Sequence, residues 1–224
     1  MAYEHGTRVL EQATSIIPPI EGTAGLQVIF GTAPVNLATN PYAATNVPII
    51  AYSYQEAVEQ LGYSDDWDRK TGYTLCQSMY ANFKLANIAP VIFVNVLDPK
   101  KHKKANEEAT ATVEDLQATV PILGVLRDTV KVKVAASEES GGGDVELAPD
   151  EDFILTFDDD GHLVVTLTST GKGAEATAVK VTSTSIDPSQ VDEAEVIGTY
   201  NPSTGKETGF EILRQVYPTF GMTP

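Results

Sequence analysis

The reading of the chain turns on Gly25-Leu26-Gln27-Val28-Ile29-Phe30-Gly31-Thr32-Ala33-Pro34-Val35-Asn36. Its apolar run, Leu26 to Phe30, has the length of a strand, is rich in β-forming residues and is closed by Gly31 and then Pro34. A run apolar on both sides of the pleat predicts a strand covered on both faces, as in a helix-flanked sheet. Val47 to Tyr52 and Pro90 to Leu97, with the sequence PVIFVNVL, have the same character. Between them, Ser53-Tyr54-Gln55-Glu56 reads as a capping box. It opens a helix that turns Ala57, Val58 and Leu61 inward and stops at Gly62. A second helix is expected over about Thr71 to Asn87, where Leu75, Met79 and Phe83 recur at i, i+4, i+8 beside Cys76 and Tyr80. The order strand, helix, helix, strand indicates a right-handed crossover in a mostly parallel sheet.

Charge divides the chain. Its 224 residues carry a net charge of −16. From Ala105 to Tyr200 there are 20 acidic against 5 basic residues; elsewhere the count is 11 against 10. The middle therefore reads as an acidic, well-solvated unit, and the near-neutral flanks suit burial against partners. Such an acidic balance argues against nucleic acid as a direct partner, which needs clustered Lys and Arg. The basic run Lys100-Lys101-His102-Lys103-Lys104 is too short to reverse this and is expected to be a solvated hinge. No apolar run reaches the ~18 residues of a membrane span, so no membrane insertion is expected. MAYEHGTRVLEQ has no apolar core of a signal peptide. A single cysteine rules out a disulfide within one copy.

The middle unit shows short, alternating, β-branched segments separated by turn residues, the pattern of a β-sandwich. They are Ala109 to Val113, Thr129 to Ala135, Asp152 to Phe157, Leu163 to Thr168, Ala176 to Thr182 and Glu195 to Tyr200. Val130, Val132 and Val134 alternate with Lys131 and Lys133, which predicts one buried and one wet face. Asp160-Gly161 predicts a hairpin turn, and the glycines between Glu138 and Asp144 a loop tip. After a turn at Asn201 to Gly205, Thr208 to Tyr217 reads as a short helix with Phe210, Leu213 and Val216 or Tyr217 on one side. At the other end, Ser15-Ile16-Ile17-Pro18-Pro19-Ile20 is apolar, but its prolines cannot donate to a ladder. The fold class expected is α+β: a small α/β layer carrying an inserted all-β unit. Residues 1–24 form an extended arm, 25–104 with 201–224 the layer, and 105–200 the inserted unit. With three strands and a last helix leading to no further strand, the layer keeps an unpaired edge, which suggests a fragment or a protein completed by a partner.

Residues that could carry chemistry do not assemble into a site. Gly31-Thr32-Ala33-Pro34 lacks the spacing of a phosphate-binding loop. Asp158-Asp159-Asp160-Gly161-His162 resembles a calcium loop only in composition, without alternate ligands or a closing Glu. Asp65, Asp66 and Asp68 beside Trp67 are read as helix-end residues and a packing aromatic. Cys76 has no evident charged activator, and His5, His102 and His162 have no nucleophile or metal spacing around them. No catalytic, cofactor-binding or metal-ligating residue is assigned, and no enzyme is expected.

A family resemblance runs through the flanks. Glu4-His5-Gly6-Thr7-Arg8-Val9, Ile17-Pro18-Pro19, Gly22-Thr23-Ala24-Gly25 and Phe30-Gly31-Thr32-Ala33-Pro34-Val35-Asn36 resemble the opening of contractile phage tail sheath proteins. Leu61-Gly62-Tyr63 with Asp65-Asp66-Trp67, then Pro90 to Asp98, then Val216-Tyr217-Pro218-Thr219-Phe220-Gly221 continue it in order. The resemblance implies a truncated sheath protein: the family is about twice this length, and its C-terminal half, which receives a neighbour's N-terminal arm, has no counterpart here. It implies a virion structural role, in which subunits polymerise around a tail tube above a baseplate and contract to drive the tube through the host envelope for genome ejection. The place implied is the virion tail or a related contractile particle, prophage-encoded ones included, after assembly in the host cytoplasm. The alternative is an acidic β-sandwich module binding a cell-surface receptor or glycan.

Overall fold

The apolar runs form the expected strands in a computed structural model that describes residues 25–65, 72–135 and 143–220. The expected arm, Trp67 with Asp66 and Asp68, and most of the glycine-rich tip lie outside the described residues. Three strands, β1 (Gln27–Gly31), β2 (Pro48–Ala51) and β3 (Val91–Asn95), make one sheet in the order β1-β3-β2. Every residue of β3 is buried, as its two-sided apolar sequence requires.

The sheet is mixed where a mostly parallel one was expected. β1 runs parallel to β3, with Ile29 opposite Phe93, but β2 runs antiparallel to it, with Ile49 opposite Phe93. The reason lies in the connection. One helix returns a chain to the end where its strand began and allows a parallel neighbour. Two helical stretches in succession carry it back to the end where the strand finished. Those stretches are α1 (Tyr54–Leu61) and α2 (Thr74–Met79), the latter continued by a π-helical segment over Tyr80–Leu85.

At the start of α1, Ser53 accepts from the Glu56 N–H at 3.2 Å, as predicted, but the Glu56 carboxylate takes the Tyr52 N–H at 2.8 Å rather than that of Ser53. Gly62 ends the helix at φ 75°, and a Cβ there would strike the Pro34 carbonyl. Leu75, Cys76 and Met79 face inward as the period predicts. They pack with Ala33, Val35, Leu61 and Phe93 in a first apolar cluster. Directly after Gly31 the chain packs into that cluster. Val35 and Asn36 are buried in a 3-10 turn. Asn95, wholly buried at the end of β3, accepts from the Ala33 N–H (3.1 Å) and donates to the Leu97 carbonyl (2.8 Å).

Among the described residues, nine short strands follow between 103 and 186: β4 (Lys103–Ala105), β5 (Ala109–Thr112), β6 (Gln117–Val120), β7 (Lys131–Ala135), β8 (Asp144–Glu146), β9 (Phe153–Phe157), β10 (Leu163–Leu167), β11 (Ala178–Thr182) and β12 (Thr184–Ile186). One antiparallel sheet has the order β6-β10-β9 and another β5-β11-β7-β8; β4 pairs with β12 alone. Val132, Val134, Val179 and Val181 from one sheet and Ala118, Val120, Phe153, Leu163 and Val165 from the other share a second apolar cluster. Lys131 is exposed on the opposite face of β7. The hairpin at Asp160-Gly161 forms as predicted, with Gly161 at φ 84° and its N–H donating to the Asp158 carbonyl.

Three sequence expectations fail beyond this point. The segment read as a strand over Glu195 to Tyr200 is instead α3 (Glu193–Ile197), started by a complete capping box between Asp192 and Glu195. The predicted hinge is tied down: β4 pairs with β12, and His102 is buried. A hairpin of β13 (Tyr200–Asn201) and β14 (Lys206–Glu207) leads through a 3-10 turn, Gly209–Ile212, into α4 (Leu213–Phe220). The 3-10 turn rotates the phase of the last helix. Ile212 and Val216 are buried against Ile92 and Val94 in a third cluster, while Phe210 is half exposed.

Candidate functional site

The residues with catalytic potential are placed apart and engaged. Cys76 is wholly buried, and burial pushes its thiol up to about 12, far from a reactive thiolate. His102 is buried where the chain leaves β3. The Asp98 N–H donates to its Nδ1 at 2.9 Å, which assigns the ring hydrogen to Nε2, 2.7 Å from a carboxylate oxygen of Glu195. The other Glu195 oxygen accepts from Lys101, 94 residues away in sequence. Burial pushes the Glu195 carboxyl up, but the hydrogen bonds from Lys101 and His102 outweigh it and hold the group below its ordinary range. An imidazole with both nitrogens committed has no lone pair for proton transfer, so this pair fastens α3 to the end of β3. The cleft beside it, about 470 Å³, is lined by Asp98, Lys101, Asp192, Glu195 and Lys206, among others, and concentrates neither sign of charge.

Asp158, Asp160 and His162 at the hairpin tip place three ligand-type atoms within 4.8 Å of one another. The Asp158 carboxylate already accepts from the His162 N–H at 2.8 Å and lies 3.1 Å from its Nδ1, so it closes the turn. Asp152, nearly fully buried, caps a second turn in the same way. It accepts from the N–H groups of Ala148 and Lys172, both at 2.9 Å, and these bonds hold its carboxyl below the usual range.

What remains open is surface. Among the described residues no strand pairs with the outer edge of β1, whose sequence Gln-Val-Ile-Phe-Gly has neither a charge nor a proline to guard it. Phe210 stands edge-on to Phe30 at 4.7 Å beside that strand. Tyr52 and Ile88 are exposed close to the sheet end where Ala51 pairs with Val91, and Leu85, three residues before Ile88, is also exposed. Sequence patterning pointed to the open edge but not to these exposed side chains, which lie at ends of elements where no period applies. Among the described residues, no helix is long and apolar enough to cross a membrane.

The fold is thus that of a mixed α+β chain with open apolar surface. Comparison with known proteins finds a likeness to the tail sheath protein of a Burkholderia phage, BcepMu, 28% identical over 222 residues. The resemblance expected from the flanking motifs is therefore borne out. The match covers 98% of this chain and 41% of that relative, so the chain spans less than half the length of the protein it matches. No family model matches the chain, and no solved structure matches it.

Proposed function

We propose that the chain is part of a contractile tail sheath subunit with a structural rather than catalytic role. The observation that carries this reading is the likeness to a tail sheath protein along nearly the whole chain. In this reading many copies wrap a tail tube above a baseplate. Contraction to a more stable packing drives the tube through the host envelope, the work coming from the difference in interface energy between two states of the same subunits. Residues 25–104 with 201–224 form the layer that meets neighbours and tube. Residues 105–200 form an inserted β-sandwich-like unit on the outside.

Two features support that arrangement. The unguarded edge of β1, flanked by Phe30 and Phe210, suits strand addition or apolar packing by further sheath polypeptide. The charge excess sits in the middle unit, 20 acidic against 5 basic residues, where solvent screens it. Leu126 and Ile186 of the middle region join the first apolar cluster, so the two units are fastened by more than their covalent links.

Immunogold labelling tests the reading. Antibodies against this chain, applied to particles released by the producing cells, should label tails along their whole length, extended and contracted alike. Bare tails, with gold on fibres or cells, would overturn it and favour a receptor-binding module.

A further inference from the structure

We propose that Asn36 holds one buried water molecule at the seam between the 34–37 turn and the tip of the β9–β10 hairpin. Asn36 is 3% exposed, and among the described residues neither its Oδ1 nor its Nδ2 has a hydrogen-bond partner. Buried polar groups are nearly always bonded, because an unbonded one carries its full desolvation cost. Beside the amide lies a cavity of about 10 Å³ lined by Pro34, Leu37, Ser64, Tyr73, Asp160 and Gly161, among others. That volume is about one water molecule's worth of probe space.

The chemistry of the orphaned amide selects the occupant. A cation would satisfy Oδ1 and leave Nδ2 bare; an anion would do the reverse. Water donates to the first, accepts from the second and keeps a further hydrogen bond for the polar lining. The hairpin tip that encloses it turns at Gly161, whose φ of 84° lies in the left-handed region that favours glycine. Val35 on one side of the seam belongs to the first apolar cluster, and Leu163 on the other to the second. The water is therefore a polar joint between the two cores.

A crystal structure of the protein at a resolution that shows ordered solvent tests this. The expected result is a water within hydrogen-bond distance of both amide atoms; a site without one, or an amide bonded directly to protein, overturns the proposal. Thermal unfolding of Asn36→Leu gives a second readout. If the amide is bridged by water, the near-isosteric apolar side chain lowers Tm by about 2–4 °C. If the amide is dry and unbonded, removing it raises Tm, and the proposal fails.

Discussion

Replacing Phe93 with alanine should cost more stability than most single changes in this chain. Phe93 is wholly buried at the middle of the central strand, with Ile29 and Ile49 opposite it on the two neighbours and the Phe83 ring 6.0 Å away. Truncating a core phenylalanine costs about 3–5 kcal/mol, the transfer of the ring plus the cavity it leaves. Of this, the tilted pairing with Phe83 accounts for about 0.5–1.5 kcal/mol. For a chain of this size that corresponds to a fall in Tm of roughly 6–20 °C. Urea unfolding followed by far-ultraviolet circular dichroism measures the loss, and a Phe83→Ala, Phe93→Ala cycle isolates the pair. A loss below about 1 kcal/mol would refute the placement of Phe93 in a close-packed core. Combining Phe93→Ala with Val165→Ala, a change in the second cluster, tests the division of the chain. Losses from separate cores add to within about 0.5 kcal/mol.

Three further outcomes are expected. Gly198→Ala should lower Tm markedly, because residue 198 sits at φ 78° and a Cβ would land on the Thr208 carbonyl oxygen and 2.7 Å from the Gly209 Cα; Gly205→Ala, also at positive φ but with open space around it, should cost only about 1 kcal/mol, and equal effects would contradict the packing of α3. The Glu195 carboxyl is held below its ordinary value of 4.5, so its pairing stabilises the fold above that pH and is lost as pH falls through the lower folded value. Glu195→Gln should therefore unfold at a lower temperature than the native chain at pH 7, with the gap closing towards pH 3; a gap independent of pH would refute the assignment. Native protein should resist iodoacetamide at pH 8 and be alkylated at Cys76 once unfolded in urea, and rapid labelling of the native thiol would show that Cys76 is not buried.

How much of this was legible depended on whether the cause was local. The run PVIFVNVL announces a strand buried on both faces, the alternation of valines and lysines at 130–134 a one-sided strand, and Asp160-Gly161 a hairpin, because each is written in a few neighbouring residues. The helix α3 was equally legible. Asp192 and Glu195 stand at capping-box spacing before Gly198, a stronger signal than the β-propensity of Val196 and Ile197 that suggested a strand. Other features are set by distant partners. β4 becomes a strand only because Thr184–Ile186 reaches it. His102 reads as part of a basic run until Glu195 folds onto it. The apolar face of α4 shifts from Phe210 to Ile212 because the 3-10 turn before it changes the period. The orphaned amide of Asn36 was not legible, since an Asn in a loop gives no sign of burial.

The central claim is tested most directly by a cryo-electron microscopy map of the tails made by cells that produce the polypeptide carrying this chain. The three-stranded mixed sheet should repeat helically around the tube, with its β1 edge covered by further sheath polypeptide and residues 105–200 outermost. A sheath built from another fold, or this fold located on a fibre or away from the tail, would contradict it.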